Sequence, residues 1–381
     1  MIEAPATDLS NQPVSLAEIA LLFLKLGTTA FGGPAAHIAM MEDEFVRRRK
    51  WLSPQEFLDR LGASNLIPGP SSTEMAIHIG FNKRGWPGLI VAGVCFIVPA
   101  AIMVSLIAAA YVRYGSLPRV AHILYAIKPV VIAVVAQAFW SLARSAVKSA
   151  WLGAIGGGAV AVYAFYAHEL VILAVAGIAA AAPVLARTGR KTALLLMAPL
   201  TAVAASPDVV PFGLSRLFLT FLKIGSVLFG SGYVLLAFLR SDFVDRLHWL
   251  NEQQLLDAVA VGQVTPGPVF TTATFIGYVV GGTPGAAVAT AAVFLPAFVL
   301  VAASGPLIPR IRRSAIAGAF LDGVIIGSLA LMGVVAWQLG RAAIVDFTTV
   351  AIALVSAILL FRFRVNSAWL VLGAAVVGCV L

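Results

Sequence analysis

One tripeptide occurs twice in the chain, as Pro68-Gly69-Pro70 and as Pro266-Gly267-Pro268. Each copy lies between apolar runs long enough to enter a membrane. The first proline ends a helix, because it lacks a backbone donor and pushes the preceding residue out of the helical region. The second proline suits the first turn of a new helix. The pattern therefore predicts two broken helices, whose second halves begin at Ser71 and Val269.

Non-helical backbone at membrane depth occurs only where protein or a water-filled cavity satisfies its polar groups. Two such breaks at matched positions in the two halves of a chain are typical of a transporter's binding site. A kink with no binding role is the simpler alternative. A glycine between two prolines gives up more backbone hydrogen bonds than a kink requires, and this favours the binding role.

The composition indicates an all-α polytopic membrane protein. Of the 381 residues, 60% are hydrophobic and 11% are charged, whereas a soluble domain carries about 25% charged residues. The alternation of a membrane barrel is absent. Two cysteines are too few for a disulfide framework or a thiolate metal site, and we expect no cofactor. The formal charge of +9 fits loop residues that orient the helices, with attraction of an anion as the alternative.

The chain contains an internal duplication. Chemically distinctive residues recur 198 positions apart up to the break and 197 positions apart after it. The pairs include Lys25/Lys223, Trp51/Trp249, Asp59/Asp257, Pro87/Pro284 and Pro99/Pro296. So many matches of lysine, tryptophan, aspartate and proline at one spacing indicate a repeat. We predict a first repeat at 1–190, a linking transmembrane helix at 191–206 and a second repeat at 207–381.

Hydropathy predicts about thirteen transmembrane segments, arranged as six, one and six. Around the link 191–206, they are expected near 15–36, 55–82, 86–112, 119–143, 149–166, 168–186, 213–236, 253–280, 284–306, 313–339, 342–361 and 365–381. An odd offset of seven segments turns the second repeat upside down, which gives inverted repeats. The basic loop residues fit this topology with a cytoplasmic N-terminus. They fit an external N-terminus equally well if both broken segments are re-entrant.

Several longer motifs are specific. They are FGGP at Phe31–Pro34, PGPSSTEMAIHIG at Pro68–Gly80, GWPG at Gly85–Gly88 and TPGPVFTTATFIGY at Thr265–Tyr278. Together they resemble the chromate ion transporter family over essentially the whole chain, in its long-chain, two-domain form. FGGP is degenerate in the second repeat, where Phe229-Gly230-Ser231-Gly232 replaces it. The two halves are therefore not expected to contribute equally.

The resemblance implies a secondary transporter that exports chromate across the bacterial cytoplasmic (inner) membrane, coupled to the proton gradient, and confers chromate resistance. The residues alone do not distinguish chromate from sulfate or another oxyanion, and an anion channel is a further alternative. A membrane enzyme is not expected, because the five histidines are scattered and intramembrane acids are few. The expected partners are chromate or sulfate, protons, the lipid bilayer and, as a candidate, a second copy in a homodimer. Nucleic acid is not expected.

A site for a tetrahedral dianion needs inward donors and positive charge. Half-helices that begin after the breaks offer free N–H groups and hydroxyls. One lysine lies near the middle of the first segment of each repeat. An ammonium is costly there unless it binds substrate or forms an ion pair. The alternative is that the side chain snorkels to the membrane interface. The candidate substrate-binding residues are Lys25, Gly32, Gly33, Pro68, Gly69, Pro70, Ser71, Ser72, Thr73, Lys223, Pro266, Gly267, Pro268, Thr271 and Thr272.

Four further residues are candidates for proton coupling. Asp59 and Asp257 each precede a break by nine positions, and helix-entry carboxylates in an aqueous vestibule are an equal alternative. Glu74 and His78 are four positions apart, hence on one helix face. Such groups can relay protons when buried, although a satisfied core pair is the more common arrangement.

One inter-repeat ion pair is also predicted, between Lys128 and Asp322, because these residues lie in equivalent helices.

Overall fold

The computed structural model describes residues 14–115, 117–165, 169–188, 211–229, 232 and 234–380, and every regular element within these ranges is helical. The predicted linking helix at 191–206 lies outside the described residues, as do Gly230 and Ser231 of the degenerate motif. Five described helices are long and apolar enough to cross a membrane: Ser71–Tyr114, Pro118–Ala146, Glu169–Arg187, Val269–Ser304 and Ala315–Ala343. The chain is therefore a multi-pass, all-α membrane protein.

The helices of the first half are α1 (Leu16–Thr29), α2 (Gly33–Glu42), α3 (Pro54–Ser64), α4 (Ser71–Tyr114), α5 (Pro118–Ala146), α6 (Ala150–Phe165) and α7 (Glu169–Thr188). Those of the second half are α8 (Leu214–Val227), α9 (Leu235–Leu239), α10 (Glu252–Val264), α11 (Thr272–Arg313), α12 (Ala315–Ala343), α13 (Phe347–Phe363) and α14 (Ser367–Val380). A π-helical turn follows α2 at Asp43–Arg48 and α9 at Arg240–Arg246.

The two halves correspond element by element. Helices α1 and α8 begin 198 positions apart, and α5 and α12 begin 197 positions apart. The helix before each break starts with a capping box, in which Ser53 or Asn251 accepts a hydrogen bond from a first-turn amide. Such caps satisfy amides that lack a partner within the helix, so both halves start this helix in the same way.

The first helix is shorter than predicted. A single helix over 15–36 was expected, but α1 ends at Thr29 and α2 begins at Gly33. Gly32 and Gly33 have φ angles of 108° and 76°, a region that glycine enters without steric cost. Pro34 then occupies the first turn of α2. The prediction of one continuous helix is wrong, because the glycine pair breaks the helix within the apolar run.

Each of the two longest helices is a tight hairpin. In α4 the helical dihedrals are lost at Arg84 and Gly85. A Cβ placed on Gly80 would lie 2.2 Å from the carbonyl oxygen of Gly88, whereas eight residues of straight helix span about 12 Å. The arms 71–83 and 86–114 therefore fold back on one another. The corresponding reversal in α11 lies at Gly281–Gly282.

The last helix of each half packs on the other half. Helix α7 lies against α12, where a Cβ on Gly323 would be 2.3 Å from the carbonyl oxygen of Ala176. Helix α14 lies against α5, where a Cβ on Gly378 would be 2.6 Å from that of His122. Because each half gives the other the same contact, the halves are related as the subunits of a two-fold dimer are.

Candidate functional site

Each Pro-Gly-Pro break is hydrogen-bonded to the opposite half. The amide of Gly69 donates to the carbonyl of Leu228, 2.8 Å away, and the amide of Gly267 donates to that of Ala30, 3.0 Å away. Leu228 and Ala30 are the residues that end α8 and α1. Each glycine has a positive φ, 136° in the first break and 90° in the second. The breaks therefore meet the ends of the first helices at the junction of the two halves.

A buried histidine reinforces this junction. The Nε2 atom of His37 lies 3.0 Å from the carbonyl oxygen of Ala30, which also accepts from Gly267. A carbonyl only accepts, so the His37 bond requires the proton on Nε2. His37 thus fixes the helix end on which the second break rests.

The half-helices start as predicted after the first break and slightly later after the second. Helix α4 begins at Ser71, with Pro70 in the capping position. After Pro268 the chain makes a 3₁₀ turn over Val269–Thr271 before α11 begins. The hydroxyls of Thr271 and Thr272 donate to the carbonyls of Pro268 and Val269, both at 2.8 Å. These two hydroxyls therefore serve their own backbone.

A polar cavity of about 260 Å³ lies at the start of the first half-helix. Both halves line it, since Phe229 and Val234 come from the second and the residues around Ser71 come from the first. Its polar lining residues are Ser64, Asn65, Ser71, Ser145, Lys148 and Asp322. Hydroxyl, amide and ammonium donors are the groups that bind an oxyanion. At about 30 Å³ per water molecule in the liquid, the cavity has room for a small anion.

The charged residues mark the open end of the cavity. Lys148 and Asp322 have side chains that are 62% and 36% exposed, and their Nζ and Oδ1 atoms form an ion pair at 2.8 Å. Ser64, Ile67 and Leu329, which also line the cavity, are buried. Of the sequence-predicted binding residues, Ser71 lines this described cavity.

Glu74 and His78 lie one turn apart inside the first half-helix, as predicted. Both are buried, and neither oxygen of Glu74 nor the Nε2 atom of His78 has a hydrogen-bond partner among the described residues. A Cβ on Gly69 would lie 2.3 Å from Oε1 of Glu74, so the carboxyl group faces the break. The hydroxyl of Thr73 is likewise buried without a described partner, and Ser72 is buried beside it. A carboxylate without a partner is costly at such a place.

Lys223 lies in a cluster of opposite charges. Its Nζ atom is 2.6 Å from Asp242 and 3.1 Å from Glu169, and Arg246 also contacts Asp242 at 2.8 Å. Glu169 begins the last helix of the first half, while the other members belong to the second. The cluster joins the halves, and the charge of Lys223 is matched by these carboxylates.

Lys25, the counterpart of Lys223, is placed differently. It is exposed and lines a separate cavity of about 310 Å³ with Thr29, Asp43, Glu44 and Arg48. Gly32, which follows α1, packs against the second half, because a Cβ on Gly32 would be 3.0 Å from the side-chain amide of Asn366. The two lysines therefore do not share one site, and neither lines the cavity at Ser71.

The equivalent aspartates also differ. Asp257 is buried, with Lys128 Nζ 3.2 Å away and the hydroxyl of Tyr111 donating to it at 2.9 Å. Asp59 is exposed on α3. The predicted Lys128–Asp322 pair is wrong, because α5 presents Lys128 to α10 and Asp322 pairs with Lys148 instead.

Comparison with known proteins identifies the family. The model of the family described as "Chromate transporter" matches twice, at residues 17–182 and 215–379. The chain belongs to the chromate transporter family. The two matched ranges correspond to the two structural halves. No solved structure matches the chain.

Full-length relatives of the chromate transporter family align over nearly the whole chain. A chromate transport protein of Cupriavidus metallidurans is 33% identical over 96% of this chain and 93% of its own. A probable chromate transport protein of Synechococcus elongatus is 30% identical over 90% and 89%. A chromate transport protein of Pseudomonas aeruginosa is 29% identical over 98% and 95%.

Sequence reasoning missed most residues that line the cavity at Ser71. In the sequence, Lys148 is one of several basic residues in short connections between helices. Ser145 is a polar residue near the end of a helix. Asn65 directly follows α3, so its closeness to the Pro-Gly-Pro break was the one available signal. Lys148 and Asp322 are 174 positions apart, and only the packing of α12 brings them to the break.

Proposed function

We propose that this chromate transporter family member is a secondary transporter that exports chromate from the cytoplasm in exchange for protons. The observation that carries the proposal is the polar cavity at the first Pro-Gly-Pro break. It combines the first residue of a half-helix, Ser71, with the ammonium of Lys148. The names of the full-length relatives supply the substrate.

The cavity offers three kinds of interaction to a dianion. The hydroxyls of Ser64, Ser71 and Ser145 and the amide of Asn65 can donate hydrogen bonds. The first turn of α4 adds backbone amides and the positive end of its dipole. Lys148 supplies a full positive charge. Residues Pro68–Pro70 hold the helix end in position, because the break is tied to Leu228 of the other half.

Protons are proposed to bind at Glu74 and His78. Both side chains follow the cavity's Ser71 on the same half-helix, and Glu74 faces Gly69 of the break.

We further propose that the two halves are inverted repeats, with the N-terminus in the cytoplasm. The predicted crossing at 15–36 is not retained, because Glu18 and Arg49 on its two sides form an ion pair. The two-fold exchange of helices and of break contacts supports a symmetric pair of halves. An odd number of crossings between equivalent helices inverts one of them. In this orientation Arg144 and Lys148 follow the positive-inside rule. The cavity then opens to the cytoplasm of a bacterium, which fits export across the inner membrane.

Sulfate is the second candidate substrate. The donors of the cavity recognise oxygen atoms and negative charge, which chromate and sulfate share. A carrier for sulfate would use the same groups.

Everted membrane vesicles test the proposal. Vesicles with the full-length protein should accumulate labelled chromate, because export from the cell becomes uptake. An acid-inside pH gradient should increase the accumulation, and its collapse should abolish that increase. Vesicles without the protein are the control. Uptake of sulfate in preference to chromate would assign the second candidate, while flux that only follows the anion gradient would contradict coupled transport.

A further inference from the structure

One ion pair lies within the lining of the proposed anion cavity. Lys148 belongs to the short joint between α5 and α6, and Asp322 belongs to α12. Their side chains meet at 2.8 Å, at the exposed end of the cavity. A carboxylate is an unexpected lining group for an anion site, because it repels the substrate and neutralises the one ammonium among the described lining residues.

The two partners are held unequally. Asp322 is followed by Gly323, which packs against the backbone of α7 at Ala176, so its part of α12 is fixed. Lys148 has its backbone held, because its amide donates to Ala146 at 3.0 Å. Its ammonium, in contrast, is carried by four rotatable carbons and is largely exposed. The lysine end of the pair can therefore swing while the aspartate stays in place.

Resting on the proposed function, we propose that Lys148–Asp322 is an anion-operated latch. When no anion is bound, Asp322 forms an ion pair with Lys148 and neutralises its charge. An arriving oxyanion draws the ammonium away from Asp322 and into the cavity. When the anion leaves, Asp322 recaptures the ammonium. An ion pair this exposed contributes little to stability, so the exchange meets a small resistance.

The latch assigns Asp322 a role in release. A transport site must bind its ion well enough to admit it and weakly enough to let it go. Without the carboxylate, Lys148 would be permanently available, so the anion would bind more tightly and leave more slowly. Asp322 is thus a positioning residue that acts through Lys148, and its loss should lower KM and kcat together.

The experiment uses the purified full chain, with chromate as the probe in a thermal-shift binding assay and in proteoliposome transport. Asp322→Asn should bind chromate about tenfold more tightly, as expected for removal of one nearby negative charge, and should turn over more slowly. Lys148→Gln should bind it about tenfold more weakly. Arg144→Gln, which removes a neighbouring basic residue outside this cavity, is the matched control and should leave binding unchanged.

A charge reversal separates the latch from a structural role. Lys148→Asp combined with Asp322→Lys restores an ion pair, and its chromate KM should return towards the wild-type value from that of either single reversal. Unchanged or weaker chromate binding by Asp322→Asn, with a wild-type protein that binds and transports chromate, overturns the latch alone. A wild-type protein that neither binds nor transports chromate overturns the proposed function as well.

Discussion

The amide of Gly69 donates a hydrogen bond to the carbonyl of Leu228, so the break of the first half is closed by the second. Gly267 repeats the arrangement with Ala30. A broken helix leaves amides and carbonyls without helical partners, and in a membrane these must be satisfied by protein or water. These two hydrogen bonds between the halves meet that requirement for the glycine amides. The amides at the start of α4 remain beside the polar cavity.

Gly69→Ala should destabilise the protein. The new Cβ would lie 2.3 Å from Oε1 of Glu74, and the φ of 136° is one that alanine avoids. We expect a loss on the order of 1–3 kcal/mol, measured as a lower Tm in detergent, together with loss of chromate transport.

Gly157→Ala is the matched control for this change. Gly157 lies within α6, and a Cβ there would meet no heavy atom within 4 Å in the described part of the chain. Alanine favours a helix interior by about 1 kcal/mol over glycine, so its Tm should stay the same or rise. Equal Tm values for the two variants would show that the break tolerates a side chain.

Lys223→Gln should cost more stability than Lys25→Gln. Lys223 lies between Asp242 and Glu169, which its removal would leave buried with one fewer positive partner. Breaking such a cluster costs about 3–5 kcal/mol, whereas Lys25 is exposed and its replacement should change the free energy of unfolding by less than about 0.5 kcal/mol. Unfolding in denaturant measures both.

Adding Asp242→Asn to Lys223→Gln tests the reason. The double variant no longer holds the excess carboxylate, so its unfolding free energy should recover part of the loss. A double variant that is less stable than Lys223→Gln by the full effect of Asp242→Asn would exclude a direct charge interaction between the two residues.

The sequence predicted the broken helices because proline and glycine act locally. Pro-Gly-Pro stops one helix and starts the next whatever surrounds it, and α4 accordingly begins at Ser71. The same reasoning, applied to Gly32-Gly33-Pro34, would have ended the first helix at its observed end. The helix was predicted to continue because apolar residues lie on both sides of that motif.

The partners of the charged residues could not be predicted in the same way. Lys223 and Glu169 are 54 positions apart. Lys128 donates a hydrogen bond to Oε1 of Gln253 at 2.6 Å, and these two residues are 125 positions apart. Their meeting depends on which face of each helix turns inward and on the exchange of helices between the halves. Lys128 and Asp322 were paired because they lie in equivalent helices, α5 and α12, but equivalence in the repeat does not determine which faces of the two helices meet.

Asp257→Asn should be more damaging than Asp59→Asn, although the two residues are equivalent in the repeat. Asp257 is buried and contacts both Lys128 and Tyr111, while Asp59 is exposed. A double-mutant cycle of Asp257→Asn with Lys128→Gln should give a coupling energy of about 1–3 kcal/mol. Additive effects in that cycle would mean that the 3.2 Å contact contributes nothing.

Glu74→Gln should separate proton coupling from anion movement. Glutamine keeps the shape of the side chain and removes its titration, and both oxygens of Glu74 lack a described partner that the change would disturb. We therefore expect a Tm equal to or above that of the wild type. Stimulation of chromate uptake by a pH gradient should be lost, because the group that binds the proton is gone, while exchange of chromate without a gradient should persist.

The control for this variant is Glu42→Gln, because Glu42 is an exposed carboxylate paired with Arg47 at the surface. It should keep both the gradient stimulation and its dependence on pH. The comparison matters because any loss of negative charge alters the electrostatic potential of an anion transporter. If Glu74→Gln and Glu42→Gln respond to the gradient alike, the proton does not bind at Glu74. The buried carboxyl group beside Gly69 then serves only to fill the break.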